Sequence, residues 1–345
     1  MKIAHVVWGM KTGGVETMLV NIINEQVKTE EVRLFIINDF IDEHILSKLS
    51  AKCKVVRINR KPGNRNPIKV LMLNISLIRY SPDIVHIHSY QVSRLLLWRW
   101  IVVRTIHNTD NVPEEYPKMS ALYAISEIVK DVTVKQGFPQ VKTINNGILV
   151  KSFSCKEIEY NKPFYEIVQV SRLEIEQKGQ DILLNAISIL VSEFRIRNFR
   201  LHLIGCGGDE KLLKDMVREL NIEEFVCFEG LKDQSFICKH LCDYDLFVQP
   251  SRFEGFGLTV AEALAAKVPV LVSNVEGPME IIGNGEYGMS FTMGDANDLA
   301  DKLKLILQGG YDYSMVEKAY QHVCDEYDVK KTANKYICEY KKLVG

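Results

Sequence analysis

Two carboxylates, Glu254 and Glu262, stand eight positions apart in the stretch SRFEGFGLTVAEALAAKVPVLVS, residues 251–273. Between them lie a Gly255-Phe256-Gly257 turn and the opening of a helix at Leu258-Thr259. Amides at a helix start lack intrahelical acceptors and together carry about half a positive charge. They suit a diphosphate, and the flanking carboxylates suit sugar hydroxyls on either side. General acid–base hydrolysis by the same pair is the rival reading. The helix terminus between them favours binding.

Two cations precede this stretch. Arg172 lies two residues past an apolar run, and Lys178 comes just before Gly179 as a helix opens. In an otherwise acidic half of the chain, they suit a dianionic diphosphate. They would neutralise charge growing on a leaving group without a metal. The plainer alternative pairs them with Glu174 and Glu176. Other signals are weaker alone. Trp8-Gly9-Met10-Lys11-Thr12-Gly13-Gly14-Val15-Glu16 closes the first strand, and its glycines allow close backbone approach. Its spacing fits neither the dinucleotide fingerprint nor a Walker loop. Gly205-Cys206-Gly207-Gly208-Asp209 is a similar turn. His107 ends a strand in polar company, Thr105, Asn108 and Thr109. His86 and His88 close another strand and read as polar caps.

Alternating elements must hold these residues. Strand-like runs at 3–7, 32–37, 54–56, 84–87, 102–106, 121–125 and 141–144 occupy the first half. Runs at 166–170, 200–204, 225–228, 246–248 and 269–272 occupy the second. Helix-period segments separate most of them, including 16–27, 67–78, 181–192 and 211–220. The pattern predicts an α/β protein with two doubly wound, Rossmann-like domains, their parallel sheets facing across a cleft. The expected domains are 1–155 and 160–327, with a polar connection near 149–162. Two helices are expected over 313–344, broken near Asp325–Asp328. In open α/β sheets ligands bind beyond the carboxyl ends of the strands.

Composition narrows the class. The chain has 345 residues and a formal net charge of −1, and no apolar run nears the roughly 20 residues needed to cross a bilayer. A secretory signal is not expected, and eight scattered cysteines fit a reducing cytosol. Cys238 and Cys242, four apart, are expected on one helix face as buried residues rather than as metal ligands. Residues 1–160 hold 22 Lys/Arg against 15 Asp/Glu, and the remainder holds 21 against 29. From Ile45 to Pro82 there are nine basic residues and no acid: Lys48, Lys52, Lys54, Arg57, Arg60, Lys61, Arg65, Lys69 and Arg79. Such a run favours an anionic partner, and a solvated face is the plainer alternative. Nucleic acid is excluded as the least suitable partner, because no aromatic residue interleaves with these charges before Tyr80.

With those residues in order, the chain resembles the retaining GT-B glycosyltransferases of family 4. The resemblance rests on Gly13-Gly14, the PDIVHIH segment 82–88, His107, Asn146-Gly147, the SRLEIEQKGQD segment 171–181, Gly205 and the Glu254–Glu262 element. It implies transfer of a hexosyl group from a nucleotide sugar, UDP-sugar favoured over GDP-sugar, with no metal or other cofactor. Arg172 and Lys178 would hold the diphosphate, Glu254 the transferred sugar and Glu262 the ribose. Gly255, Phe256, Gly257, Leu258 and Thr259 would face phosphates or sugar. Glu229, Gly230 and Leu231 would border the base, Gly13, Gly14 and Gly205 would line the donor, and His107 would approach the sugar. The acceptor implied is a saccharide or a polyprenyl-pyrophosphate-linked saccharide, in capsule, O-antigen or exopolysaccharide synthesis. A helix over 328–345 would cross back to the N-terminal domain. A cytoplasmic location is expected, at the inner face of an anionic membrane through residues 48–79. Two features depart from the family. Five residues separate Arg172 from Lys178 where many relatives have four, and no acid follows Ile148. A sugar-nucleotide epimerase and a non-catalytic nucleotide-sugar-binding subunit are the alternatives.

Overall fold

The computed structural model describes residues 1–11, 13–63, 67–97, 99–108, 119–157, 159 and 162–345. Thr12, Arg65 and Thr109, named above, lie outside the described residues. The chain forms two compact units, Met1–Ile148 with Tyr327–Gly345, and Leu149–Glu326.

In the first unit, β1 (Lys2–Val7), β2 (Glu31–Asn38), β3 (Lys54–Arg60), β4 (Ile84–Ile87), β5 (Ile101–Ile106), β6 (Ala121–Ala124) and β7 (Lys142–Thr143) form a sheet. Its order is β3-β2-β1-β4-β5-β6-β7, parallel throughout. Near-continuous apolar runs make the central strands, because helices cover both faces of such a sheet. The order reverses across the sheet between β1 and β4, the kind of place beyond whose strand ends ligands bind in open α/β sheets. The helix Val329–Val344 belongs to this unit. Asp328 caps it by accepting from the Lys330 N–H at 2.9 Å. Tyr336 and Tyr340 are buried on its inner face. Gly147 makes room for it, since a Cβ there would lie 2.5 Å from Val329 Cα.

In the second unit, β8 (Tyr165–Val170), β9 (Phe199–Ile204), β10 (Val226–Gly230), β11 (Leu246–Gln249), β12 (Val270–Ser273) and β13 (Met289–Phe291) run in the order β10-β9-β8-β11-β12-β13. Its pairs are also parallel, and its reversal lies between β8 and β11. Three expectations change. β13 went unseen because three residues after Gly288 carry no alternation. Residues 149–155 pack with the second unit, where Phe153 is buried and the Ser154 N–H donates to the Cys238 carbonyl at 2.8 Å. Cys238 is buried in the helix Gln234–His240, but that helix ends before Cys242, so the two do not share a face.

Candidate active site

The reversal of the second sheet places the segments after β8 and β11 side by side. Glycine lets them touch. Gly179 has φ of +64°, and a Cβ there would lie 2.0 Å from the Pro250 carbonyl oxygen. The seam is stitched by buried and half-buried polar groups. Arg252 holds Asp181 through two hydrogen bonds of 2.8 and 2.7 Å and donates to the Ile175 carbonyl at 2.8 Å. Gln180 donates to the Arg172 carbonyl at 2.8 Å. Gln249 donates to Ser251 Oγ at 2.7 Å. These positioning residues were missed from sequence, because a Gln or Arg near a strand end carries no distinctive spacing.

The seam brings Lys178 onto Glu254, and its ammonium donates to the carboxylate. Both side chains are largely buried. An ammonium has three protons, so this bond leaves two for an anion. Arg172 is more exposed. It pairs with Glu174 at 2.9 Å and reaches Gln177 at 3.4 Å. The plainer alternative therefore holds for Arg172, which pairs with Glu174, while Lys178 pairs with Glu254 and not with Glu176. An exposed pair of this kind contributes about 0–1 kcal/mol, so a diphosphate can displace it.

The helix Leu258–Ala265 begins at Gly257, which has φ of +100° and offers no side-chain cap. Val260 and Ala261 already bond to the Gly257 carbonyl, while the Leu258 and Thr259 amides have no backbone acceptor among the described residues. That leaves an open, positive helix start. The Glu262 carboxyl, one turn further on, makes no hydrogen bond or ion pair among the described residues, although its backbone carbonyl accepts from the Ala266 N–H at 3.0 Å. The residue keeps some exposure, but dense protein around the carboxyl pushes its pKa up to about 7. An unpaired carboxyl held out of water is suited to a ligand hydroxyl. Phe256 is buried, so only its backbone faces the turn. Gly277 was also missed. A Cβ there would lie 2.5 Å from the Glu254 carbonyl oxygen, so the helix Glu276–Ile281 braces the Glu254 loop.

The remaining residues lie around this seam or in the first unit. Gly205 has φ of +141°, and its missing Cβ admits the Ser171 carbonyl, 1.9 Å from where that Cβ would be. The Gly205 amide bonds to the Gly230 carbonyl at 2.9 Å. Glu229 accepts from His202 Nδ1 at 2.9 Å, and Leu231 is exposed. Gly13 precedes the helix Gly14–Gln26, at the end of β1. His107 follows β5, and its Nδ1 is buried without a partner among the described residues. His86 is not a strand cap. It is fully buried within β4, bonded to the Tyr340 hydroxyl at 2.5 Å and Thr105 Oγ1 at 2.8 Å.

Two doubly wound units, one with cations and carboxylates gathered at its sheet reversal, define a GT-B glycosyltransferase. The family comparisons agree. Residues 151–322 match the model for glycosyl transferases group 1, and residues 12–151 match that for glycosyltransferase family 4. The chain belongs to this family. It is 25% identical to N-acetyl-alpha-D-glucosaminyl L-malate synthase of Bacillus anthracis over 75% of this chain and 74% of that protein. It is 27% identical to lipopolysaccharide 1,6-galactosyltransferase of Salmonella typhimurium over 58% of this chain and 54% of that protein. Among solved structures, Anabaena HepE in complex with UDP and glucose superposes with a TM-score of 0.81 at 20% identity, covering 99% of each chain.

Proposed function

We propose that this glycosyltransferase moves a hexosyl group from a nucleotide sugar to a saccharide or polyprenyl-pyrophosphate-linked saccharide, with retention and without a metal. UDP-sugar is favoured over GDP-sugar. The observation that carries the reading is the junction of Lys178, Glu254 and the uncapped helix start at Leu258, with the unpaired Glu262 one turn beyond. Lys178 and Arg172 take the diphosphate and stabilise the departing nucleotide, supplying the charge a divalent ion would otherwise bring. The Leu258 and Thr259 amides add to that field. Glu254, oriented by Lys178, accepts hydroxyls of the transferred sugar, and Glu262 accepts those of the ribose. His107 meets the sugar. The leaving phosphate takes the acceptor proton as the new bond forms on the same face. The lipopolysaccharide galactosyltransferase among the relatives supports a role in cell-surface polysaccharide synthesis.

One observation supports work at a membrane. The helix Pro67–Tyr80 buries Leu73, Leu77 and Tyr80, yet exposes Ile68, Leu71, Met72, Ile75 and Ile78. Those five lie on one side at helical spacing and belong to the acid-free run 45–82. An apolar stripe with basic neighbours complements an anionic bilayer. No helix among the described residues is long and apolar enough to cross a membrane.

The test is turnover of a panel of UDP- and GDP-sugars with saccharide acceptors, reading product anomer by NMR. Lys178→Ala should cut kcat about 100-fold, because the charge it meets grows in the transition state. Unchanged kcat in that variant, or an inverted product, would remove the proposed mechanism.

A further inference from the structure

Four histidines crowd the sheet reversal of the first unit. His5 lies in β1 opposite His86 of β4, in register. His88 follows β4 and His107 follows β5. Three of them form a line. Gln26 Oε1 lies 2.7 Å from His5 Nε2. His5 Nδ1 lies 3.0 Å from His88 Nε2. His88 Nδ1 lies 3.2 Å from His107 Nε2. We propose that Gln26, His5 and His88 are positioning residues that fix the tautomer of His107, so that its Nδ1 accepts a hydrogen bond from a sugar hydroxyl. This rests on the transferase reading above and deepens it.

Proton counting gives the polarity. A carboxamide oxygen only accepts, so His5 carries its hydrogen on Nε2. His5 Nδ1 is then bare and accepts from His88 Nε2–H. His88 Nδ1 is bare in turn and accepts from His107 Nε2–H. The line ends on a bare His107 Nδ1, and that is the atom found buried and unpartnered among the described residues. A ligand hydroxyl would satisfy it.

This polarity requires each ring to be neutral. Burial lowers His5 and His107 to about 4, and the Arg104 charge adds to the effect at His107. His88 is held well below its ordinary value by burial, by the neighbouring imidazoles and by Arg104. One proton per ring leaves one polarity for the whole line. It also removes His107 as a proton donor to the leaving group.

The far end of the line is anchored. The helix Gly14–Gln26 packs against the C-terminal helix, which brings Tyr340 beside Gln26. That hydroxyl bonds to His86 Nδ1 at 2.5 Å. His86 Nε2 and Tyr336 both meet Thr105 Oγ1 at 2.8 Å. The C-terminal helix therefore packs beside both Gln26 and His86. Ring nitrogens of His5, His86 and His88 also lie within 4.8 Å of one another, a spacing open to a divalent ion. Their partners are imidazole, hydroxyl and carboxamide groups, and none is a carboxylate that would offset the charge.

The experiment uses the full chain labelled with 15N-histidine, read by long-range proton–nitrogen spectra between pH 6 and 8. His5, His88 and His107 should each appear as a single neutral Nε2–H form. His88→Phe should return His107 to a mixture of tautomers and lower kcat about tenfold. The rise in melting temperature with UDP should persist, since the nucleotide is held by the other unit. His88→Gln should restore kcat to within about threefold, because an amide donates at one end and accepts at the other. A His107 found protonated on Nδ1 or as imidazolium overturns the proposal. So does a kcat loss in His88→Phe with the His107 signals unchanged, or a zinc titration that reorders these signals at equimolar metal. Undiminished turnover by His107→Ala would overturn the sugar contact while leaving the tautomer line intact. Failure of the wild type to turn over any nucleotide sugar, with the spectra as expected, would sink the transferase reading.

Discussion

The two units share one topology and treat charge in opposite ways. At the sheet reversal of the second unit, Lys178, Glu254, Arg172 and Glu174 form ion pairs at a rim with partial solvent access. At the same place in the first unit, His5 and His86 are buried and His88 and His107 half-buried, all four held neutral in hydrogen-bonded lines. The same order over six strands, to which the first sheet adds β7, therefore does not impose a chemistry. The residues placed at the carboxyl ends decide whether the crevice suits phosphates or uncharged hydroxyls.

The largest expected effect tests the seam that makes the charged side. Gly179→Ala combines a left-handed backbone with a Cβ 2.0 Å from the Pro250 oxygen. The two loops would have to separate. We expect a loss of about 3 kcal/mol or more in unfolding free energy, and turnover reduced more than tenfold. Gly208→Ala is the control. A Cβ there meets nothing within 4 Å, so stability should change by less than about 0.5 kcal/mol. Equal behaviour of the two variants in denaturant titrations would mean the contact at Gly179 is not needed.

The next effect separates the units by pH. His5 and His107 titrate near 4 in the fold, below their ordinary 6.5. The unfolded chain then binds more protons between those values. First-unit stability is present above pH 6.5 and lost as pH falls toward 4. Glu262 has the reverse sign. Its folded value of about 7 exceeds 4.5, so its stability contribution is complete below 4.5 and lost as pH rises through 7. Each group is worth up to about 3 kcal/mol. Hydrogen exchange should show β1, β4 and β5 loosening in acid before β8 and β11. Glu262→Gln should stabilise the free protein at pH 8, be neutral at pH 4.5, and lose most of the thermal shift given by UDP. A destabilised Glu262→Gln at pH 8 would show that the carboxylate has a partner after all.

Much of the fold was legible because parallel strands are short apolar runs between helix-period segments, as at 84–87 and 246–249. The Glu254–Glu262 element was legible because its spacing encloses a glycine helix start. The histidine line was not. His86 and His88 were visible two apart at the end of one strand, but His5 joins them only through the register of β1 on β4, which no local pattern encodes. Arg252 with Asp181, and Gly277 under Glu254, depend likewise on which loops the sheet reversal brings together. The basic run 45–82 drew attention by charge. The more telling feature lay inside it: the helix-period segment 67–78 did not say which face turns inward, and packing buries Leu73 and Leu77 while exposing Ile68, Leu71, Met72 and Ile75.

That stripe carries the smallest and most surface-bound expectation. Burying an apolar side chain fully is worth about 1.5–3 kcal/mol, whereas a basic residue near an anionic surface adds about 1 kcal/mol. Five apolar side chains should therefore outweigh the neighbouring charges, and salt should weaken membrane binding without abolishing it. Replacing Leu71, Met72 and Ile75 with Ser should release the protein from vesicles containing phosphatidylglycerol in flotation assays. Lys61→Ser with Arg79→Ser should give a partial loss, comparable to that from raised salt. Turnover with a water-soluble acceptor should survive both sets, because none of these residues belongs to the charged seam of the second unit or to the histidine line. If the triple-Ser variant instead converts a dimer to a monomer and floats as before, the stripe is covered by a second copy of this chain and not by lipid.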